Sequence, residues 1–236
     1  MTYLEMVNEV LVRMREEEVT SVVDPENDPE QKMVCKFVND ARSFVERSHA
    51  WNALRRVWVI DLAHEQYRYS LSNAAEQSTI YHLKYGNNSP LKEVPSKWID
   101  AKGRDNGSPR WFAPSHVDKH TVQIQVYPRP DESFGGSGDI FEYTLAQFGQ
   151  ASFAVPDKQL YAYGYGQGQR LVNDGDEIVI PEDPVMSYAL AFSQRERGEA
   201  GGQNSAEIFA MAKQYLSDAI SWDVTNSSGE YVWVAN

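Results

Sequence analysis

Helical hydrophobic periodicity occupies both ends of this 236-residue chain, whereas the middle has the alternation of strands. Thr2 and Glu5 fit a capping box at the start of the first helix. An apolar stripe follows at Leu4, Val7, Leu11 and Met14. Asp28 and Pro29 begin a second helix, because an acidic N-cap followed by proline suits a first turn. Residues 1–50 are therefore predicted to form an antiparallel helical hairpin.

Strand-like segments dominate from residue 51 onwards. Residues 57–62 are β-branched and aromatic, and residues 67–71 alternate between apolar and polar side chains. Similar short runs recur up to residue 183, and Gly-, Pro- and Asn-rich turns separate them. This pattern predicts an antiparallel β barrel or sandwich over residues 51–183.

Helical periodicity returns at Pro184, directly after Asp183, and continues with interruptions to about Ile220. The last helix has a stripe that is predicted to be buried, formed by Ile208, Ala212, Tyr215, Leu216 and Ala219. Helices at the two ends each need an apolar partner. We therefore predict an α+β fold in which residues 1–50 and 184–220 form a four-helix body and the β domain is inserted between them.

Residues 221–236 lack helical caps but are rich in aromatic side chains, which include Trp222, Tyr231 and Trp233. An aromatic segment at a chain end usually docks on its own domain or on a partner. We predict an extended C-terminal docking tail.

No catalytic, cofactor or metal motif emerges from the sequence. The glycines at 164, 166 and 168 miss the spacing of a dinucleotide-binding loop. His116 and His120 are four residues apart, but Val117 stands where a zinc-binding helix would need glutamate. Cys35 is the only cysteine and cannot form an internal disulfide. We predict a protein that is not an enzyme, with no cofactor and no metal site.

Three tyrosines share one face of a predicted strand, because Tyr161, Tyr163 and Tyr165 alternate with smaller residues. Such a face can form half of a packed sheet, or it can contact a subunit or another partner. It can also serve as a stacking platform for sugars, and the sequence leaves both possibilities open.

The net charge of the chain limits the classes of partner that it can bind. The chain has 34 acidic and 22 basic residues, a net charge of −12, and residues 131–236 alone contain 16 acidic and 5 basic residues. An acidic balance disfavours wrapping a phosphate backbone. The local basic concentrations are Arg55 with Arg56, and the group of Lys97, Lys102, Arg104 and Arg110; neither forms a known nucleic-acid-reading module. Sequence-specific nucleic-acid binding is not expected, and neither is a membrane-spanning or export segment.

Several segments, taken in order, resemble head-to-tail adaptor (connector) proteins of short-tailed or related tailed bacteriophages. They are YLEMVNEVL (3–11), VNDA (38–41) leading to Trp51, GSPRWF (107–112), VYPRPD (126–131), LVNDGD (171–176), YALAF (188–192) and ERGE (196–199). The likeness spans nearly the whole chain. Its specificity comes from the order in which these segments occur, because none is a catalytic motif.

The resemblance implies a structural virion protein that forms a ring, usually of twelve copies, beneath the portal protein. Such a ring lines the DNA exit channel, anchors the tail nozzle or tail tube, and is assembled in the host cytoplasm. Genomic DNA then passes without sequence-specific binding, and acidic residues on the channel wall would repel it. Trp222, Tyr231 and Trp233 are the candidates for docking in a portal crevice. A carbohydrate-binding or carbohydrate-cleaving tail component is the alternative that the tyrosine face and the acidity suggest.

Overall fold

A computed structural model describes residues 1–24, 26–74, 80–86, 89–118, 121–144, 147, 158–197 and 203–227. Within these ranges the protein has a mixed α+β fold with five helices and two four-stranded sheets. The chain divides into two compact units. Unit 1 comprises Met1–Ala53 and Gly168–Asn236, and unit 2 comprises Leu54–Gln167.

The helices are α1 (Tyr3–Arg13), α2 (Pro29–Ser48), α3 (Ser96–Asp100), α4 (Glu182–Glu196) and α5 (Gln203–Ser227). The strands are β1 (Arg55–Asp61), β2 (Arg68–Leu71), β3 (His82–Tyr85), β4 (Lys92–Glu93), β5 (Trp111–His116), β6 (Val122–Tyr127), β7 (Ile140–Thr144) and β8 (Gln159–Tyr165). Both predicted helix starts are confirmed. Reciprocal capping boxes join Thr2 to Glu5 and Asp28 to Gln31.

Unit 1 contains the four longer helices. Helix α2 packs against α4, α4 packs against α5, and α1 contacts both α2 and α4. Aromatic contacts join the elements, with ring centroids 4.7 Å apart for Phe44 and Tyr188 and 6.2 Å apart for Phe192 and Phe209. Because α4 touches the other three helices, most of its side chains are buried.

A buried polar clamp joins the two chain segments of unit 1. The Asn39 side chain donates from Nδ2 to the Leu171 carbonyl and accepts from the Leu171 N–H at Oδ1, both at 3.0 Å. Tyr3 Oη donates to the Cys35 carbonyl at 2.6 Å and accepts from Asn39 Nδ2 at 3.0 Å. Burial raises the pKa of both Tyr3 and Cys35. Three of the segments that resemble phage adaptors therefore meet at one point.

A second buried contact lies where the chain returns to unit 1. Arg42 Nη1 is 2.7 Å from Glu46 Oε1, and each side chain is only 6% exposed. The Gly168 N–H also donates to the Glu46 carboxylate. A Cβ at position 168 would overlap Glu46 Oε1 and Arg42 Nη1, so any larger residue would have to displace this ion pair. Burial raises the pKa of Glu46, and Arg42 opposes that rise.

Unit 2 contains both sheets. The first sheet has the strand order β3-β8-β1-β7 and the second β2-β6-β5-β4. One core cluster draws on both sheets and includes Trp58, Ile60, Tyr69, Leu71, Leu83, Phe112, Ile124 and Leu160. The described strands form no closed barrel. The β4–β5 pair is parallel, contrary to the antiparallel prediction, because the long connection through α3 brings the chain back in the same direction.

The predicted end of the last helix was wrong. Helix α5 continues past Ile220 to Ser227, so residues 221–227 are helical and do not belong to an extended tail. Asp223 Oδ2 lies 3.1 Å from His49 Nε2 and accepts the Asn52 N–H at 3.2 Å. These tertiary contacts fix the last turns, whereas the local sequence has no capping signal there.

Replacing Asn39 by Ala should destabilise unit 1. The buried N–H and carbonyl of Leu171 would both lose their partner, and we expect a loss of about 2–4 kcal/mol in the free energy of unfolding. Chemical denaturation measures this loss, and hydrogen exchange should report faster exchange of the Leu171 amide. Gln214→Ala is the control, because exposed Gln214 bonds only to exposed Asp218 and should change stability by less than about 0.5 kcal/mol. Equal losses in the two variants would contradict a special role for the clamp.

Two Arg–Glu pairs with the same four-residue spacing provide a second test. Glu46→Ala leaves Arg42 charged and buried, and we expect a loss of about 3–5 kcal/mol. Glu9→Ala breaks the pair with Arg13, whose side chains are 40% and 42% exposed, and should cost less than about 1 kcal/mol. Denaturation of the two variants in parallel measures the difference. Similar costs would mean that burial does not distinguish the pairs.

Candidate functional surfaces

One face of α5 carries three exposed apolar side chains, with exposed Asp218 between two of them. Met211, Tyr215 and Trp222 are 56%, 42% and 68% exposed. At 3.6 residues per turn they lie within about 40° of each other around the helix axis. The packed face of the same helix includes buried Ala212, and Phe209 contacts Phe192 of α4. We name Met211, Tyr215 and Trp222 the α5 stripe; such a face is typical of an interaction site.

The structure changes the interpretation of the predicted docking residues. Trp222 lies on a regular helix, and Tyr231 and Trp233 lie outside the described residues. Tyr215 was predicted to be buried with Ala212 and Leu216, but it belongs to the exposed face. The sequence pattern missed this second face, because only one side of a 25-residue helix can cover α4.

The three tyrosines of β8 lie on the sheet face opposite Leu160 and Ala162, which belong to the shared core. Tyr161 is 2% exposed and packs with Val57 and Val59, against which Tyr143 and Tyr163 also pack. The Tyr165 ring is 5.6 Å from that of Tyr81. Burial raises the pKa of Tyr161 and Tyr163. The Tyr161 ring is therefore not open to a sugar in this structure.

An aromatic cluster with nearby cations lies on unit 2. Trp98 of α3 is 5.4 Å from Trp111 of β5 and 5.9 Å from Tyr127 of β6, measured between ring centroids. The Lys102 ammonium lies 4.8 Å from the centre of the Trp98 ring. Tyr127 Oη donates to Asp105 Oδ2 at 2.5 Å, and this bond raises the pKa of Tyr127.

The negative charge follows the two units. Unit 1 has 22 acidic and 10 basic residues, whereas unit 2 has 12 of each. The entire net charge of −12 thus belongs to unit 1. Residues 168–236 contribute −7 to this charge and residues 1–53 contribute −5, so the N-terminal segment of unit 1 is acidic as well.

The described residues hold no group of three or more His, Cys, Asp or Glu side chains arranged to bind a metal ion. None of the described helices combines the length and apolar character that crossing a bilayer requires. His120 and the side chain of His116 lie outside what the structure describes.

Comparison with known families assigns the chain. Residues 1–231 match the model of the family described as SU10 adaptor protein. No match was found among curated proteins. The family match runs through both units and agrees with the resemblance carried by the ordered segments, three of which converge on the Asn39 clamp. The chain therefore belongs to the SU10 adaptor protein family, whose members are structural head-to-tail proteins of bacteriophages.

Proposed function

We propose that the protein forms a ring of twelve copies beneath the portal, lines the DNA exit channel and anchors the tail nozzle or tail tube. The α5 stripe is the observation that carries this proposal. An exposed apolar face on a helix that is already fixed to its own unit needs little ordering when a partner covers it. Family membership makes the portal and the neighbouring copies its natural partners.

The stripe has enough area to anchor each copy. An aromatic side chain buries about 150–250 Å², and each Å² of apolar surface contributes about 25 cal/mol. Trp222 is 68% exposed, so its burial against the portal would contribute about 3 kcal/mol per copy. Tyr231 and Trp233 are proposed to add to this anchor. Repetition around a ring multiplies the effect of each modest contact.

The two units are proposed to have different roles in the ring. Helices α1, α2, α4 and α5 of unit 1 are proposed to form a four-helix body that builds the ring wall, and unit 2 is proposed to face the tail as a sandwich. The predicted β domain of residues 51–183 is thus shortened to Leu54–Gln167, because residues 168–183 belong to unit 1. Tyr163 and Tyr165 are only partly buried. They are proposed to contact a neighbouring subunit, with buried Tyr161 supporting them.

The acidity of unit 1 suits passage of DNA. Carboxylates on a channel wall repel phosphates, so genomic DNA would move along the wall without sequence-specific binding. The −12 charge of unit 1 supports this proposal, and so does the neutral balance of unit 2. The protein would then act during DNA ejection as a component of the virion that is assembled in the host cytoplasm.

The carbohydrate alternative loses its main support, because it relied on three tyrosine rings open on one face, and Tyr161 is buried. We therefore do not develop it as a second function.

Trp222→Ala should weaken assembly on the portal. Purified variant and portal ring from the same virus are mixed, and bound copies are counted by native mass spectrometry or electron microscopy. We expect at least tenfold weaker binding per copy, because a central aromatic anchor is removed. Val224→Ala is the matched control, since Val224 is 47% exposed on the same helix but points away from the stripe. Unchanged binding of Trp222→Ala would exclude the stripe as the portal anchor.

Truncation after Ser227 tests the remaining aromatic residues separately. This deletion removes Tyr231 and Trp233 but keeps Asp223, which contacts His49 and Asn52. We expect fewer bound copies in the same portal assay, with unchanged thermal stability of the free protein. A stable truncated protein that binds fully would show that Tyr231 and Trp233 are dispensable for docking.

A further inference from the structure

Unit 2 carries a surface that the proposed function has not used. We define the basic–aromatic patch as the rings of Trp98, Trp111 and Tyr127 together with the cations around them. These cations are Lys92, Lys97, Lys102, Arg104 and Arg110, all of which are exposed. The patch therefore combines a compact aromatic cluster with five exposed cations on the segments that carry it.

The second sheet builds this patch by its register. Trp111 of β5 pairs with Tyr127 of β6, whereas the next pair, Phe112 with Val126, points into the shared core. Trp111 and Tyr127 therefore lie on the outer face of the sheet. Helix α3 places Trp98 against both rings, and Ile99 and Ala113 are buried in the same cluster. The aromatic part is thus held by packing from three elements.

Most cations of the patch have no acidic partner in the part of the chain that the structure describes. Within the described residues, Lys92, Lys97, Arg104 and Arg110 form no salt bridge, in contrast to the paired Arg13, Arg42 and Arg197 of unit 1. Two nearby carboxylates are already engaged. Asp105 accepts from Tyr127 Oη, and Asp100 lies 3.8 Å from Arg68. A carboxylate from outside this unit would find several donors without competition.

Protein is a better occupant of this surface than nucleic acid. The three rings pack against one another, and Lys102 lies over Trp98, so they do not form a row of separate faces on which successive bases could stack. Trp, Tyr and Arg are the residues that most often dominate protein–protein binding energy.

We infer that the basic–aromatic patch binds the acidic surface of unit 1 of a second copy of this chain. The inference rests on the proposed ring, because a closed ring needs two different and complementary surfaces on every copy. Charge complementarity identifies them: the patch concentrates unpaired cations, and unit 1 carries the whole −12. Carboxylates that meet the patch would pair with its cations while apolar groups cover its rings.

The acidic side of this contact has a natural candidate region. Residues 16–30 contain seven acidic residues and no basic residue. Arg197 holds Glu16 and Glu30, but Glu17 and Glu18 are exposed and form no salt bridge among the described residues. These two carboxylates are the first that we expect to reach a neighbouring patch.

Zero-length carbodiimide crosslinking tests the contact directly, because it joins a lysine amine to a carboxylate in contact with it. Isotopically heavy and light protein are mixed and crosslinked, both on the portal ring and alone at high concentration. We expect heavy–light crosslinks from Lys92, Lys97 or Lys102 to carboxylates of unit 1. Absence of such crosslinks in both preparations overturns the inference. Patch crosslinks confined to the portal, to another tail protein or to the same copy overturn it as well.

Charge reversal provides the energetic test. Arg104→Glu and Arg110→Glu, made singly, should each lower the yield of heavy–light crosslinks about tenfold, and added salt should lower the wild-type yield. Lys158→Glu is the control, because exposed Lys158 lies beside β8 of the other sheet and contacts the Ser133 carbonyl and the Phe134 ring of its own unit. Equal effects of all three variants, or none in the patch variants, would overturn the inference. Failure of wild-type protein to bind the portal would count against the proposed function, whereas the crosslinks of the protein alone still decide the patch.

Discussion

The hydrogen bonds between Asn39 and Leu171 are the constraint on which unit 1 depends, because they hold together two chain segments 132 residues apart. The entropic cost of closing a loop grows only slowly with the length of the loop. A whole β unit can therefore lie between the two segments. The contact must still be specific. An amide that both donates to and accepts from one buried peptide group supplies that specificity, and Tyr3 orients it from α1. An ionised Asp at position 39 could only accept, and Leu could do neither.

Once the clamp joins the two segments, every long helix of unit 1 has a partner. Helix α4 is covered on most sides, whereas α5 is covered on one side only. The exposed apolar stripe on α5 is therefore a consequence of its position at the margin of the helix set. A free-standing protein gains nothing from such a face, but a member of an assembly uses it as a contact. The same packing that stabilises the unit thus leaves its interaction surface on a rigid helix.

The sequence could predict those features that depend on residues close together in the chain. The starts of α1 and α2 follow from capping boxes that each span four residues. The strands of unit 2 follow from the alternation of apolar and polar side chains. The end of α5 depends on Asp223 meeting His49 and Asn52, a contact that no local pattern contains. The sequence showed most cations of the basic–aromatic patch as a local basic group, but not the aromatic cluster beside them. The cations are neighbours in sequence, but the register of β5 with β6 brings Trp111 and Tyr127 together.

The fold also changes which part of the molecule the excess negative charge belongs to. In sequence order the negative excess looks like a property of residues 131–236, yet the N-terminal 53 residues contribute 11 acidic against 6 basic residues to the same unit. A surface acidic in both of its chain segments suits a wall that repels phosphates. A neutral unit with clustered cations instead suits selective contact with carboxylates, since its field falls off within about 10 Å at ordinary salt. Separating the two behaviours into two units would allow one chain to play both proposed roles, letting DNA pass and binding neighbouring copies through charge.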